Sequence, residues 1–373
     1  MRPQRFSGGR PPGGGGWTPE VRAGVSQPQA SLARLALREH HAAAGARFRV
    51  GGLWELPADY GDAQAEHAAL RSSVVVFDRS HRSRILVSGT DAADLLGRVF
   101  ARNVMGIEEG RAVRTFALDE CGLVGDIALI VRTGAISYLV CGEPGQRQWT
   151  VARLQGAKAE DFDARVEDRT LATCTLAVTG PGAEATLREH VADALPAALE
   201  PLQSVAFEFH GFRALVTRTS DTGEDGFEFV LAPAAALHLM QILGTAGVLL
   251  AGDTAHETAR IEECIPAYSP DLEIGLTPAE AGLDALLGIG GSAAERVLCA
   301  VILENEVTAG TPVMAGALAV GEVRSCVRSF SLGAIIALAV IDQRHSFPGA
   351  ALVVGGRPAA VVARPFYRRR REA

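Results

Sequence analysis

One carboxylate stands at the mouth of an apolar, strand-like run. Asp126 lies in the segment of residues 110–131, GRAVRTFALDECGLVGDIALIV, just before a run of apolar residues. A desolvated carboxylate is destabilising by several kcal/mol unless it is paired or hydrogen-bonded. Asp126 therefore needs a cationic or N–H-rich partner if the run is buried. The alternative, that Asp126 faces solvent or caps a turn, is equally compatible with the local pattern.

A second group of acidic residues stands in residues 211–231, GFRALVTRTSDTGEDGFEFVL. Asp221, Glu224 and Asp225 lie there in a turn between two alternating runs. Further along the chain, Arg260 falls on a predicted helix ahead of a loop broken by proline. An arginine in this setting is a plausible partner for an acidic ligand.

Metal chemistry has little support in the sequence. A predicted helix over residues 31–46 carries His40 and His41, but no further ligands follow at a recognisable spacing. We therefore predict no metal site, and we predict that these histidines lie together on the surface of the helix.

The elements that must position these groups are hairpins. Residues 110–131 alternate, turn and continue as an apolar run, which predicts a β-hairpin, the first hairpin; residues 211–231 predict the second hairpin. Strands alternate with helices around both, which indicates an α+β fold. From residue 297 onward, short apolar runs recur about every ten residues between glycines and prolines, a pattern typical of a small β-barrel or sandwich.

The domain organisation follows from these patterns. Residues 1–30 are rich in glycine and proline and predict a disordered tail. Residues 31–296 form the main region, which we divide into two α+β subdomains at about 31–170 and 171–296. The C-terminal β domain comprises residues 297–373.

Composition limits the class of protein. The chain has 373 residues, 48% hydrophobic and 21% charged, which fits two or three globular domains. A net charge of −7 argues against nucleic-acid or anionic-membrane partners. The sequence has no apolar run of about 18 residues and no secretory signal pattern. Its six cysteines include no C-x-x-C pair, which indicates reduced thiols and a cytoplasmic location.

Several short motifs, in order and at matching spacing over residues 35–367, together resemble the aminomethyltransferase family. This family comprises the T-protein of the glycine cleavage system and its tetrahydrofolate-dependent relatives. The motifs are FDRSH at residues 77–81, GLVGD ending at Asp126, TGPGA at 179–183, TGEDGFE at 222–228, ARIEE around Arg260, TPAEAGL from 277 and GEVRS from 321.

The resemblance implies a fold, a cofactor and a site. It implies three modules around a central folate-binding cavity, with Asp126 as the acid/base beside the reactive nitrogens of tetrahydrofolate. Glu228 is then the residue that binds the pterin ring, and Arg260 helps to hold folate. These residue types suit the ligand, because a carboxylate accepts the donor edge of a pterin and an arginine fork binds carboxylates. A buried aspartate with an adjustable pKa suits proton movement at N5.

The chain also departs from the family pattern. Arg114 and Asp221 stand where the family has tyrosines, and Gly142 stands in place of an asparagine. Arg114 and Asp221 either pair with each other across the two hairpins or reshape the pocket for a polar substrate. We place both in the substrate pocket together with His81.

These departures predict an altered one-carbon donor, either a small molecule or a carrier-bound group. A lipoyl carrier protein, as in ordinary glycine cleavage, is one possible donor. The alternatives are a tetrahydrofolate-dependent O-, S- or N-demethylase, and a folate-binding module without turnover. The last is disfavoured because the Lys-Gly-Cys-Tyr-type motif of such modules is missing.

Overall fold

The computed structural model describes residues 32–191, 198–209, 211–288 and 293–369. The predicted tail, residues 1–30, lies outside these ranges. The strands within them are β1 (Ala33–Arg34), β2 (Arg47–Gly51), β3 (Trp54–Asp59), β4 (Val75–Asp78), β5 (Ser83–Ser88), β6 (Ala112–Leu118), β7 (Val124–Gly134), β8 (Ser137–Gly142), β9 (Arg165–Asp168), β10 (Cys174–Thr179), β11 (Ser204–Phe209), β12 (Phe212–Arg218), β13 (Gly226–Leu231), β14 (Leu249–Leu250), β15 (Arg296–Leu303), β16 (Pro312–Ala315), β17 (Leu318–Arg328), β18 (Ile335–Asp342), β19 (Leu352–Val354) and β20 (Arg357–Val362). The α-helices are α1 (Arg38–Ala43), α2 (Ala63–Ser72), α3 (Ala92–Val99), α4 (Arg147–Ala157), α5 (Ala183–His190), α6 (Pro233–Thr245), α7 (Asp253–Glu262) and α8 (Pro278–Ala281).

The first hairpin is formed by β6 and β7, as predicted. These strands pair antiparallel, with Ala117 opposite Asp126, at one end of a five-stranded sheet of order β6-β7-β8-β5-β9. In the turn, the Asp119 carboxylate accepts two backbone N–H hydrogen bonds. Gly122 in the same turn has a φ of 78°, a conformation that favours glycine. The turn therefore places Asp126 near the start of β7.

The second hairpin, also as predicted, consists of β12 and β13. It belongs to a six-stranded sheet of order β11-β12-β13-β10-β4-β14. Glu228 on β13 lies between Ala177 of β10 and Thr217 of β12. Because β4 precedes the first hairpin in the chain but pairs with β10, the chain crosses between the two sheets.

Helices α3 and α4 fix the first sheet from one face. Buried residues of α3 recur at positions 92, 95, 96 and 99, the spacing of one apolar helix stripe. Leu95 and Leu96 pack with Leu154 of α4 against Ile130 and Val140 of the sheet. Burial of each such leucine contributes about 2 kcal/mol. This packing fixes the position of β7 and β8 against α3 and α4.

The C-terminal strands close into a barrel of order β15-β18-β17-β16-β19-β20. Closure removes the exposed edges that a sandwich would leave. The barrel packs its buried Leu298 and Ile336 against Phe116 and Val124 of the first hairpin. Of the two predicted C-terminal forms, the barrel is the one present.

Glu262 at the end of α7 ties the barrel to the helices. It is fully buried and accepts hydrogen bonds from Arg71 of α2 at 2.6 Å and from Ser329 and Ser331 after β17 at 2.5 and 2.9 Å. The His67 ring contacts the same carboxylate at 3.0 Å. One carboxylate thus links α2, α7 and the barrel.

The N-terminal histidine prediction is wrong for His41. The helix is α1 alone, preceded by β1, and His41 is fully buried. Its ring lies 2.8 Å from Asp78 Oδ2 and 2.7 Å from the Tyr60 hydroxyl. Both partners come from later segments, so the local pattern gave no signal of burial.

None of the described helices combines the length and apolar character needed to cross a membrane.

Candidate active site

Asp126 is fully buried and hydrogen-bonded on both carboxylate oxygens. Its Oδ1 accepts the backbone N–H of Glu143 at 3.0 Å, and its Oδ2 accepts the Thr150 hydroxyl at 2.6 Å. Glu143 follows β8, and Thr150 lies on α4. The partners are one backbone N–H and one hydroxyl, not the cationic or N–H-rich partner that we expected. The alternative of a solvent-facing Asp126 is excluded.

The pKa of Asp126 is raised to about 7. Burial raises it, because the charged form is poorly solvated, while the hydrogen bonds from Thr150 and the Glu143 N–H lower it in part. Near neutral pH this carboxyl can hold or release a proton. That property suits an acid/base.

The Glu228 side chain is half-buried. Its carboxylate forms no hydrogen bond or ion pair with the side chain or backbone of any other described residue. Burial raises its pKa, with Arg82 and Arg114 acting in the opposite direction. Its oxygens are therefore available to a ligand. Arg82 also lowers the pKa of Asp126, so both carboxylates lie within electrostatic range of one guanidinium although they belong to different sheets.

Arg114 and Asp221 pair with each other across the two hairpins. The distance from Arg114 Nη1 to Asp221 Oδ1 is 2.8 Å, and Arg114 Nη2 donates to Thr219 Oγ1 and to the Ser220 carbonyl. A second arginine, Arg82, donates to Asp221 Oδ2 at 2.6 Å. Of the two alternatives predicted for Arg114 and Asp221, the structure shows the one in which they pair with each other.

Asp221 is held in its charged form. Burial raises the pKa of Asp221, but Arg114 and Arg82 outweigh that effect and hold the pKa well below its usual range. Two guanidinium groups around one carboxylate leave a local excess of positive charge. The same arginines also interact with two neighbouring carboxylates: Arg82 pairs with Glu143, and Arg82 and Arg114 both lower the pKa of Glu228.

Sequence reasoning missed Arg82, Glu143 and Thr150. Arg82 Nη2 lies 3.4 Å from Glu143 Oε1, and the Glu143 N–H binds Asp126, so these residues connect the acid to the Arg114–Asp221 pair. A sequence signal could have found Arg82 and Glu143, since each is a charged residue next to an apolar strand: Arg82 directly precedes β5, and Glu143 directly follows β8. Thr150 lies in an ordinary helical pattern and gives no such signal.

His81 is buried beside this network. It lines a small cavity with Arg79 and Asp253, and its Nδ1 has no hydrogen-bond partner among the described residues. Burial, together with Arg79 and Arg82, lowers its pKa well below the usual range. The imidazole is therefore neutral at physiological pH.

The guanidinium of Arg260 is buried and already paired. Its Nε donates to both oxygens of Glu257 at 2.9 and 2.8 Å, and its Nη1 donates to Asp271 Oδ2 at 2.8 Å. Its Nη2 donates to Ser325 Oγ of the barrel at 3.2 Å. Arg260 therefore joins α7 to the barrel, and no described hydrogen bond or ion pair links it directly to Asp126.

Asp253, His256 and Glu257 at the start of α7 place their ligand atoms within 4.8 Å of one another. Each carboxylate already has an arginine partner. Arg79 and Arg49 contact Asp253, and Arg260 contacts Glu257. Asp253 and Glu257 therefore form an ion-pair network with these arginines, whereas burial lowers the pKa of His256 well below its usual range and leaves this ring neutral.

Comparison with known proteins agrees with the fold. The family model of the GCVT N-terminal domain matches residues 37–290, and the glycine cleavage T-protein C-terminal barrel domain matches residues 296–368. The structure also resembles the glycine cleavage system aminomethyltransferase T from Bartonella henselae, with a TM-score of 0.81, 24% identity, and coverage of 91% of this chain and 99% of that one.

Two relatives align with this chain over nearly their whole length. The aminomethyltransferase of Streptomyces coelicolor is 33% identical over 369 residues, covering 91% of this chain and 99% of the relative. That of Rubrobacter xylanophilus is 34% identical over 366 residues, covering 93% and 97%. The chain belongs to the aminomethyltransferase family of glycine cleavage T-proteins. The predicted family, the α+β fold class with its C-terminal barrel and the assignment to a transferase enzyme class are confirmed.

Proposed function

We propose that the protein is a tetrahydrofolate-dependent one-carbon transferase with an altered donor substrate, in which Asp126 is the acid/base. The observation that carries this proposal is the environment of Asp126. It is a fully buried carboxyl, held by two donors, with a pKa of about 7. A general acid/base works best when its pKa lies near the working pH.

Bound tetrahydrofolate would supply the N5 nitrogen that accepts or releases the one-carbon unit. As the bond from the one-carbon unit to N5 forms, the bond from that carbon to its donor atom would break; Asp126 would take up the proton from N5 and pass it to the departing donor atom, and the reverse reaction would run the same transfers backward. At neutral pH the acid and the carboxylate forms of Asp126 are both populated, because the pKa is about 7. One residue can therefore serve both directions.

Glu228 would bind the pterin. Its carboxylate has no partner among the described residues and faces the same arginine as Asp126, so the chemistry of the donor edge fits it. Arg260 would help to hold the folate tail. To do so, its guanidinium must share its bonds with Glu257 or Asp271.

The substrate pocket would contain His81, Arg114 and Asp221. Because Arg114 and Asp221 satisfy each other, they offer a rigid hydrogen-bonding surface in place of two tyrosine rings. His81 adds a neutral ring with an unpartnered Nδ1. This lining supports a polar donor that differs from the aminomethyl group carried on a lipoyl protein.

The test is product analysis with tetrahydrofolate. The purified protein is incubated with tetrahydrofolate and either an aminomethylated lipoyl carrier protein or small N-, O- and S-methyl compounds, and the folates are identified by mass spectrometry. Formation of 5,10-methylene-tetrahydrofolate from the carrier would identify ordinary aminomethyl transfer, and 5-methyl-tetrahydrofolate would identify a demethylase. Calorimetric binding of tetrahydrofolate without turnover of any donor would indicate a binding module, and absence of binding would overturn the proposal.

A further inference from the structure

The orientation of the Asp126 carboxylate depends on two residues that have no assigned role. Gly142 ends β8, and Thr150 lies on the buried side of α4. We propose that Thr150 is the positioning residue of Asp126, and that Gly142 provides the space into which the carboxylate turns. The effect on turnover rests on the proposed function, whereas the orientation does not.

The space at Gly142 is occupied by Asp126 itself. A Cβ atom added at Gly142 would lie 2.5 Å from Asp126 Oδ2 and 2.9 Å from Ser83 Oγ. Side-chain carbons do not approach oxygen atoms this closely, so any other residue at 142 would displace the carboxylate.

Thr150 holds the carboxylate in that space. Its hydroxyl is fully buried and donates to Asp126 Oδ2 at 2.6 Å, the length of a strong charge-assisted bond. The Glu143 N–H holds the other oxygen at 3.0 Å. With both oxygens bound, the carboxylate has one orientation, and Thr150 is the only described side chain that hydrogen-bonds it.

The Thr150 bond also favours the charged form of Asp126 over the neutral acid. The charged groups facing Asp126 are Glu143, which raises its pKa, and Arg82, which lowers it. Tyr268 faces it from the loop after α7 and is neutral, because burial raises the pKa of its hydroxyl. Removal of the Thr150 hydroxyl leaves these groups in place and takes away one stabilising donor. The proton affinity of Asp126 must then rise.

The experiment is an NMR titration of the full-length protein with aspartate labelled at Cγ with carbon-13. The Asp126 signal is identified by its loss in Asp126→Asn. A hydrogen bond to a charged group contributes about 1.5–3 kcal/mol, which corresponds to a rise of about one to two pH units in the midpoint for Thr150→Val. Thr150→Ser restores the hydroxyl and is expected to keep the wild-type midpoint.

Gly142→Ala tests the second half of the proposal. When the carboxylate is displaced from Thr150, a further Thr150→Val substitution is expected to leave the midpoint unchanged. Gly156→Ala is the matched control, since a Cβ there meets nothing within 4 Å. In that background the Thr150→Val shift should be retained in full.

Three results would overturn the proposal. These are an unchanged midpoint in Thr150→Val, the same shift in Thr150→Ser as in Thr150→Val, or a full Thr150→Val shift in the Gly142→Ala background. Thr150→Ala provides a second removal of the hydroxyl if the valine variant does not fold.

The titration needs no substrate, so failure of the wild-type protein to transfer a one-carbon unit would overturn the proposed function and leave the positioning of Asp126 intact. Where transfer is observed, the Asp126 limb of the rate profile should move to higher pH in Thr150→Val.

Discussion

Arg114 Nη1 lies 2.8 Å from Asp221 Oδ1, although the two residues are 107 positions apart in the chain. The pair joins the first hairpin to the second, and Arg82 completes it on the other oxygen of Asp221. Both arginines therefore depend on one carboxylate. This dependence has consequences for stability.

Asp221→Asn should destabilise the protein more than Arg114→Met. The Asp221 side chain is 12% exposed, and its loss leaves the guanidinium of Arg82, 10% exposed, without its main partner. Breaking a buried pair in this way lowers the free energy of unfolding by about 3–5 kcal/mol. The Arg114 side chain is 32% exposed, so its removal should cost about 1 kcal/mol. Urea denaturation measures both values, and equal losses would contradict this arrangement.

The contribution of Asp221 should disappear in acid. Its pKa in the folded state lies below the ordinary value, so the stabilisation is present above about pH 4 and is lost as the pH falls further. The difference in unfolding free energy between wild type and Asp221→Asn should therefore be largest near pH 6 and shrink towards pH 3. A difference that stays constant over this range would show that the charge is not responsible.

Glu228→Gln should weaken tetrahydrofolate binding. A hydrogen bond to a charged group contributes about 1.5–3 kcal/mol, so we expect the dissociation constant to rise by about ten- to a hundred-fold in calorimetric titration. Glu208→Gln is the matched control, because Glu208 lies exposed on β11 of the same sheet. An unchanged affinity in Glu228→Gln would remove Glu228 from the folate site.

Glu228→Gln should also stabilise the protein at alkaline pH. Burial raises the folded-state pKa of Glu228, so the wild type loses stability as the pH rises from the ordinary glutamate pKa through this raised value, and the loss is complete above it. Thermal unfolding at pH 8 should show a higher Tm than wild type, with a smaller gain at pH 4. A lower Tm at pH 8 would indicate that the arginines around Glu228 outweigh its burial.

Asp126→Asn should slow turnover strongly and leave tetrahydrofolate affinity largely intact. Loss of a general acid/base slows a reaction by about 10²- to 10⁴-fold.

The stability of Asp126→Asn provides a readout that is independent of activity. The folded pKa is raised from 3.8 to about 7, so the wild type loses up to about 4 kcal/mol as the pH rises through this window. Asp126→Asn should escape this loss, and parallel pH profiles for the two proteins would contradict the raised pKa.

Arg260→Ala should separate folding from folate recognition. Loss of a buried guanidinium that pairs with Glu257 and Asp271 should lower the unfolding free energy by about 3–5 kcal/mol. If Arg260 also holds the folate tail, the variant should lose affinity for tetrahydrofolate but not for tetrahydropteroate, which lacks the glutamate. Equal losses for both ligands would assign Arg260 to structure alone.

Local pattern and motif order were enough to predict the two hairpins, the C-terminal β domain and the family. Alternation of apolar residues is a property of a strand by itself, so the hairpins around Asp126 and Glu228 could be read from the chain. The same patterns could not predict that His41 is buried, because its partners Tyr60 and Asp78 lie in other elements.

The sequence by itself determined which residues could carry the chemistry, since residue type and strand period are local. Only the tertiary structure decided how those residues are paired. It brought Arg114 to Asp221, surrounded Arg260 with carboxylates and placed Thr150 and Gly142 around Asp126. The physical reason is that charge pairing and burial depend on distances between atoms of different elements, and these distances are set when the sheets, helices and barrel pack together.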